Sequence, residues 1–324
     1  MMNPEQRSEQ EMAEKHKSKI GGQALIEGVM MRGVYTSAMA CRLPDGTIDV
    51  EAWEEKNGKN APWYRKVPIV RGVFNFVSSL VTGYKCLIKS ADKQMTDDED
   101  SQEEMSKLDI WLNEHLGEKL MSVVSVISII LSFVLCIGLF KFLPMWIGKL
   151  LGKFISSTIV LTIIEGFIKI GIFVAYLAVT SLMKDIKRTY EYHGAEHKTI
   201  ACYEAGEELT VENVKKYTRF HPRCGTSFIF ISLFISIFVF CFITWSVMWK
   251  RMVLQIVLLP LIVGISYEII RIAGRYDNVF TRIISAPGLR IQRLTTREPD
   301  ASQIEVAIAA MKPCIPESRE DDQW

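Results

Sequence analysis

Four apolar runs, at 121–143, 154–183, 226–249 and 252–270, constrain this chain more than any other feature. A helix needs about 20 predominantly apolar residues to cross a bilayer. The first and third runs carry no charged side chain except Lys141 near one end. The second contains Glu165 and Lys169, and the fourth contains Pro260, Gly264 and Glu268. Buried helices of soluble proteins are rarely this long and this uncharged. The expected fold is an α-helical membrane protein, with four transmembrane helices in two hairpins and a small cytoplasmic α+β domain.

Basic residues set the orientation of such a chain. The segment between the second and third runs carries eight of them, from Lys184 to Arg223, and Arg271, Arg275, Arg282 and Arg290 follow the fourth. The opposite links hold only Lys149, Lys153, Lys250 and Arg251. This asymmetry predicts a multi-pass protein of the cell membrane with both termini in the cytoplasm. Its expected partners are the lipid bilayer and other membrane proteins. Nucleic acid is not expected, because Lys+Arg 38 against Asp+Glu 37 leaves no basic excess. The seven cysteines include no C-x-x-C pair, and Cys136 and Cys241 lie within apolar runs. That usage fits free thiols in a reducing compartment.

The remaining segments divide by composition. Residues 1–19 are polar, carry no secretory signal and read as a disordered tail. Residues 20–91 read as a β-rich unit followed by an amphipathic helix. Pro44-Asp45-Gly46 marks a turn there, and Val70, Val73, Val77, Leu80 and Tyr84 repeat at helical spacing. Set beside a membrane domain, that stripe is expected to lie in the interface. Glu27 and Arg32 stand among apolar neighbours, as a strand-end ion pair or as members of a shared polar site. Residues 92–120 form an acidic linker and a short amphipathic helix that leads into the first hairpin, 121–183. A histidine-rich loop at 184–225 precedes the second hairpin, 226–271. In the tail, 272–324, Pro287 and Gly288 punctuate a loop. Asp300 or Ser302 then caps a last helix, which presents Ile304, Ala307, Ile308 and Met311 to the β unit.

Three of the five histidines fall in the loop between the hairpins. "YHGAEHKTI" places His193, Glu196 and His197 in the order H-x-x-E-H, and "HPRCGTSF" adds His221 and Cys224. His193 and His197 share one helical face and can reach one ion. His16 lies in the tail, and His115 in the helix before the first span. Gly206 is a helix stop, and Thr210 caps a short helix after it. Two chemistries remain open for a divalent ion, with zinc the expected one. Closure by His193, His197, His221 and Cys224 makes a tetrahedral, structural site. Two histidines and a carboxylate instead leave a position for water, with Glu196 as base and Glu268 as third ligand. Glu268 stands about 16 residues into an inward-running span, roughly 24 Å down and near the cytoplasmic face. Glu165 stands near mid-membrane, where it is expected to pair with Lys169 one turn on.

"GGQALIEGVMMRG", "YHGAEHKTI", "HPRCGTSF" and "APGLRIQRLTTREPD" together resemble the YqhQ-like family of bacterial membrane proteins, from about residue 21 to about residue 311. That family has no known function and is labelled a predicted metal-dependent enzyme. The resemblance implies roles for His193, Glu196, His197, His221 and Cys224, and for Glu27 and Arg32. It implies a metal and a reaction without naming either. The expected function is a cytoplasmic-facing divalent-metal site, hydrolytic in one reading. In the other the protein is a membrane scaffold or membrane-protein assembly factor with a structural metal.

Overall fold

Glycine-flanked turns between short runs of small and apolar residues produce a four-stranded antiparallel sheet. Its strands are β1 (Gly21–Leu25), β2 (Gly28–Arg32), β3 (Thr36–Arg42) and β4 (Ile48–Glu54), paired in that order. At the β3–β4 turn Gly46 takes φ 86°, and the Asp45 carboxylate accepts the Thr47 N–H at 2.8 Å. Leu25 pairs with Gly28, so the β1–β2 turn is only Ile26 and Glu27, and Glu27 takes φ 50°. Such a conformation costs a non-glycine residue about 1 kcal/mol or more. The Glu27 carboxylate is held there by Arg188 and by the Tyr192 hydroxyl at 3.1 Å.

The computed structural model describes residues 16–55, 62–94, 123, 126–128, 130–243, 248–276 and 278–323. It is mostly helical. The helices are α1 (Val70–Asp92), α2 (Val126–Leu151), α3 (Thr158–Thr180), α4 (Lys184–Glu204), α5 (Val211–Lys215), α6 (Gly225–Cys241), α7 (Met248–Val257), α8 (Leu259–Arg275), α9 (Val279–Thr295), α10 (Ala301–Met311) and α11 (Arg319–Asp322). The chain divides into two compact units, Met1–Met95 with Val174–Trp324, and Thr96–Phe173.

In the larger unit α4 and α10 pack on the sheet. Val29, Met31, Ala38, Ala40, Ile304 and Met311 form its centre. Asp300 caps α10 and Thr210 caps α5, each through its side-chain oxygen, and α4 ends just before Gly206 at φ 76°. The expected docking of the last helix on the β unit is thus observed. The first and last described segments also meet. Ser18 pairs with Gln323, the Ser18 hydroxyl donates to Asp322 at 2.7 Å, and His16 lies 2.6 Å from Asp322. Residues 16–19 are therefore tied down rather than part of a disordered tail. Residues 1–15 lie outside the described residues, as do His115, the expected helix at 107–120 and most of the acidic linker.

Among the described residues two helices are long and apolar enough to cross a membrane, α2 and α3. The α7–α8 pair, bent by 43°, makes a third if it is one span. Helix α6 is apolar but has only 17 residues, and 244–247 of the third expected span lie outside the described residues. Four spans were expected, and the described helices supply two or three. Pro144 does not end α2, because a π-helical turn at Gly138–Phe142 precedes it and absorbs the missing N–H. Pro260 in the first turn of α8 separates that helix from α7. Pro287 and Gly288 do not form the expected loop either, but lie inside α9. A Cβ on Gly288 would fall 2.5 Å from the Ser227 hydroxyl, and this close packing on α6 keeps the helix continuous.

Helix α4 also runs against the strand-like segment before α10. The Arg297 N–H donates to the Tyr190 carbonyl at 2.8 Å. A Cβ on Gly194 would lie 1.9 Å from the Arg297 carbonyl oxygen, so the two backbones touch. Gly194→Ala should cost about 1–3 kcal/mol of stability. Gly21→Ala, where a Cβ meets nothing within 4 Å, should stay within roughly 0.5 kcal/mol. Thermal unfolding of the two variants in detergent checks the difference, and equal melting would mean that the approach at Gly194 is looser than described.

Candidate metal centre

Three side chains that the sequence separates meet at one point. His193 and His197 lie one turn apart on α4, and Cys224 is the N-cap of α6. One ring nitrogen of each histidine and the Cys224 sulfur lie within 4.8 Å of one another. His193 Nε2 is 3.2 Å from Cys224 Sγ, and the two imidazole centroids are 4.4 Å apart.

The other nitrogen of each ring is anchored to main chain. His193 Nδ1 meets the Thr295 carbonyl at 2.8 Å, and His197 Nδ1 meets the Arg219 carbonyl at 2.6 Å. A carbonyl only accepts, so each Nδ1 carries a proton, and each Nε2 presents a lone pair once its ring is neutral. Metal-binding histidines are oriented in this way. His197 Nε2 is buried and has no hydrogen-bond partner among the described residues. The residues therefore fit a divalent ion, with two imidazoles and a thiolate converging on a point where one donor is otherwise unused.

Glu196 stands beside this set at 4% exposure. It accepts from the Gly22 N–H, and its Oε2 has no partner among the described residues. A Cβ on Gly22 would lie 3.0 Å from the Glu196 side chain, so the glycine leaves the carboxylate its room. Burial raises the pKa of Glu196, against the pull of His197 and His193. Burial alone would raise the Cys224 thiol too, but His193 and His197 hold it well below its ordinary value. Burial alone would lower His193, but the Cys224 thiolate raises it to about 9. Without metal, the pair is a thiolate and an imidazolium.

His221 lies close by, 5.4 Å from His197 between ring centroids, yet outside the three-residue set. Its backbone is clamped by Gln292, which accepts the His221 N–H at 2.8 Å and donates to its carbonyl at 2.6 Å. Its Nε2 is met by Arg223 at 3.1 Å, and burial together with that guanidinium holds its pKa well below the usual value. Glu268 is elsewhere. Its carboxylate takes both the Nε of Arg71, at 2.7 Å, and an Nη of the same residue, because α1 packs on α8. It is an ion-pair partner, not a ligand of this centre. Glu27 and Arg32 do not pair with each other. Glu27 is bound by Arg188, and Arg32 binds Glu55, Ser78 and Ser79 at the far end of β2. Glu165 lies in the smaller unit, against Gly148, with Lys169 one turn on. The Thr295 and Arg219 carbonyls escaped the sequence reading because main-chain acceptors leave no side-chain signal. Arg223 was legible as a cation two residues from His221.

Residues 67–317 match the model of a family described as "Protein of unknown function (DUF1385)". The chain belongs to this family. It is 32% identical over 292 residues to "Uncharacterized protein YqhQ" of Bacillus subtilis (strain 168), covering 89% of each chain. No solved structure matches it. Neither description names a metal, a reaction or a membrane. The four-motif resemblance therefore leads to a family of unknown function, and the matched segment holds the whole His-His-Cys centre.

The sign of the pH dependence follows from His193. Below about pH 9 its ring is protonated, and a ligating imidazole must be neutral. Metal uptake near pH 7 should release about one proton, and affinity should weaken as the pH falls. Calorimetric titration in buffers of different ionisation enthalpy measures this release. Uptake with no proton release would remove His193 from the ligand set.

Proposed function

We propose that the protein is a multi-pass membrane protein of the cell membrane, with both termini in the cytoplasm and a divalent-metal centre of hydrolytic type beside the bilayer. His193, His197 and Cys224 would hold the ion, zinc being the best fit to two imidazoles and a thiolate. The observation that carries this reading is the convergence on Cys224 of two Nδ1-anchored histidines, with no hydrogen bond within normal distance to His197 Nε2 among the described residues. Three protein donors leave a coordination position open, the arrangement of catalytic zinc sites. A metal bound there supplies Lewis acidity and brings the pKa of water toward ~7.

The protein's own groups do the rest. Glu196 is the proton acceptor. Its pKa is raised by burial, its Oε2 is unengaged and the Gly22 N–H fixes its other end. Thr295 and Arg219 keep both rings in one tautomer. Arg223 keeps His221 from completing a closed set.

A second reading has one observation in its favour. His197 is fully buried and Cys224 is only 7% exposed, as in a structural staple that ties α4 to the start of α6. In that case the protein is a scaffold or assembly factor for other membrane proteins. The two readings differ at Glu196. Removal of a general base typically costs about 10²–10⁴-fold in rate. Glu196→Gln should therefore keep the metal, measured by elemental analysis of purified protein, and fail to complement a deletion strain. Cys224→Ser should lose both metal and complementation. Full complementation by Glu196→Gln would refute the hydrolytic role and leave the staple.

A further inference from the structure

Helix α1 is built inside out. Five of its polar side chains bind other parts of the protein. Arg71 binds Glu268, and Asn75 Nδ2 donates to the Tyr267 hydroxyl at 2.8 Å. Ser78 and Ser79 take Arg32 at 3.1 and 3.2 Å, and Ser90 accepts the Ile26 N–H at 3.2 Å. Six of its apolar side chains turn away. Phe74, Val77, Leu80, Val81, Tyr84 and Ile88 form one stripe, between 43% exposed at Ile88 and 66% at Tyr84. A helix on a water-facing surface has the opposite polarity. A contiguous apolar stripe of this length marks a surface that something apolar covers.

The neighbours of α1 identify that cover. Its first turns are wedged against α8, half of the bent pair that is apolar enough for a span. A Cβ on Gly264 would lie 2.4 Å from Ile69 Cγ2, and one on Gly72 would lie 2.7 Å from Tyr267 Cβ. Phe76 also stacks on Phe228 of α6, with centroids 5.1 Å apart. From Gly264 to the basic end of α8 at Arg275 is roughly 16 Å of helix. The start of α1 therefore lies well within the apolar length of α8, whose own Leu259 and Leu261 are exposed. Charges at such a depth persist only in pairs, and Arg71 and Glu268 are paired. Farther along, α1 rests on the sheet, where Lys89 pairs with Glu51 of β4 at 2.7 Å, while Tyr84 and Ile88 continue the exposed stripe. At the other end Tyr64 stacks on Phe74 at 4.4 Å, and Trp63 is 72% exposed. Both are residues of the membrane–water boundary.

We infer that α1 is an in-plane membrane helix. Its outward stripe lies in the boundary between acyl chains and headgroups, and the Arg71–Glu268 pair locks it to α8. The inference rests on the reading that α8 lies in the membrane. It adds a helix too polar on its inner face to span one.

The test uses the full chain reconstituted in vesicles of phosphatidylcholine and phosphatidylglycerol. A photoactivatable phenylalanine analogue replaces Leu80 on α1, Phe167 in the candidate span α3, or Glu212 on the exposed face of α5. Lipid adducts, read by mass spectrometry, should form at Leu80 and Phe167 at least about tenfold more than at Glu212. Adducts at Phe167 with none at Leu80 would overturn the inference and leave the membrane reading standing. None at either position would overturn both. A Leu80 adduct to a second copy of the chain, in place of lipid, would make the stripe a protein interface and end the lipid assignment.

Discussion

From Tyr192 to Tyr203, α4 is buried along almost its whole surface, although its sequence is polar. A polar helix can be buried only if its side chains find partners, since each unmet group costs a few kcal/mol. Much of the larger unit supplies them. The Tyr192 hydroxyl reaches Glu27 in the sheet. Lys198 reaches Glu298 at 2.7 Å, and the Tyr203 hydroxyl reaches Asp322 at 3.1 Å. Glu204 accepts the Ser18 N–H at 2.7 Å and is bound by Arg223. The sheet, the segment before α10 and both chain ends thus converge on one helix, and they converge through polar contacts. Two groups stay unmet at one place on that helix, His197 Nε2 and Glu196 Oε2. Thr295 Oγ1 and Arg297 Nε, on the segment packed against α4, are also unmet among the described residues, but only His197 Nε2 and Glu196 Oε2 stand beside Cys224 of the candidate set.

Local interactions made some of this legible in the sequence. The caps at Thr210 and Asp300, the turn at Gly46 and the stop at Gly206 each depend on two or three adjacent residues. The α4 face shared by His193 and His197 follows from helical period alone. Cys224 was within reach because it follows His221 by three residues. Long-range choices were not legible. Glu268 has the depth and chemistry of a ligand, but Arg71, almost two hundred residues earlier, is packed against it. Glu27 and Arg32 look like a pair at five residues' spacing, but they sit at opposite ends of β2, and each is taken by a different element. Prolines failed as boundaries for the same reason. Pro287 breaks a helix in isolation, yet here it lies within one held by the contact of Gly288 with Ser227.

The apolar segments raise a related point about polarity. Helix α6 is apolar all round, which is the mark of a helix with no water-facing side. Yet its N-cap is Cys224, and its first turn touches Gln292, which donates to Ser227 at 3.1 Å and also clamps His221. The polar centre and the apolar helix therefore meet without an intervening linker. Any displacement of α6 along its axis would move the thiolate relative to both histidines, which belong to α4.

Arg223 connects this centre to the ends of the chain. One of its Nη groups binds Glu204 and lies 3.1 Å from His221 Nε2. Glu204 in turn holds Ser18, and Ser18 holds Asp322. A cation at His221 Nε2 excludes a second cation there, because the one lone pair faces the guanidinium. The contact between residues 18 and 322 thus reaches the candidate centre through a short series of contacts, at His221 rather than at His193, His197 or Cys224. While Glu204 keeps Arg223 in place, His221 is neutral and engaged, and the set is His193, His197 and Cys224. With Arg223 displaced, His221 would be the nearest imidazole to a three-donor site with one position open. The contacts of Ser18 with Glu204 and Asp322 therefore lead, through Arg223, to the histidine that stands beside the candidate set.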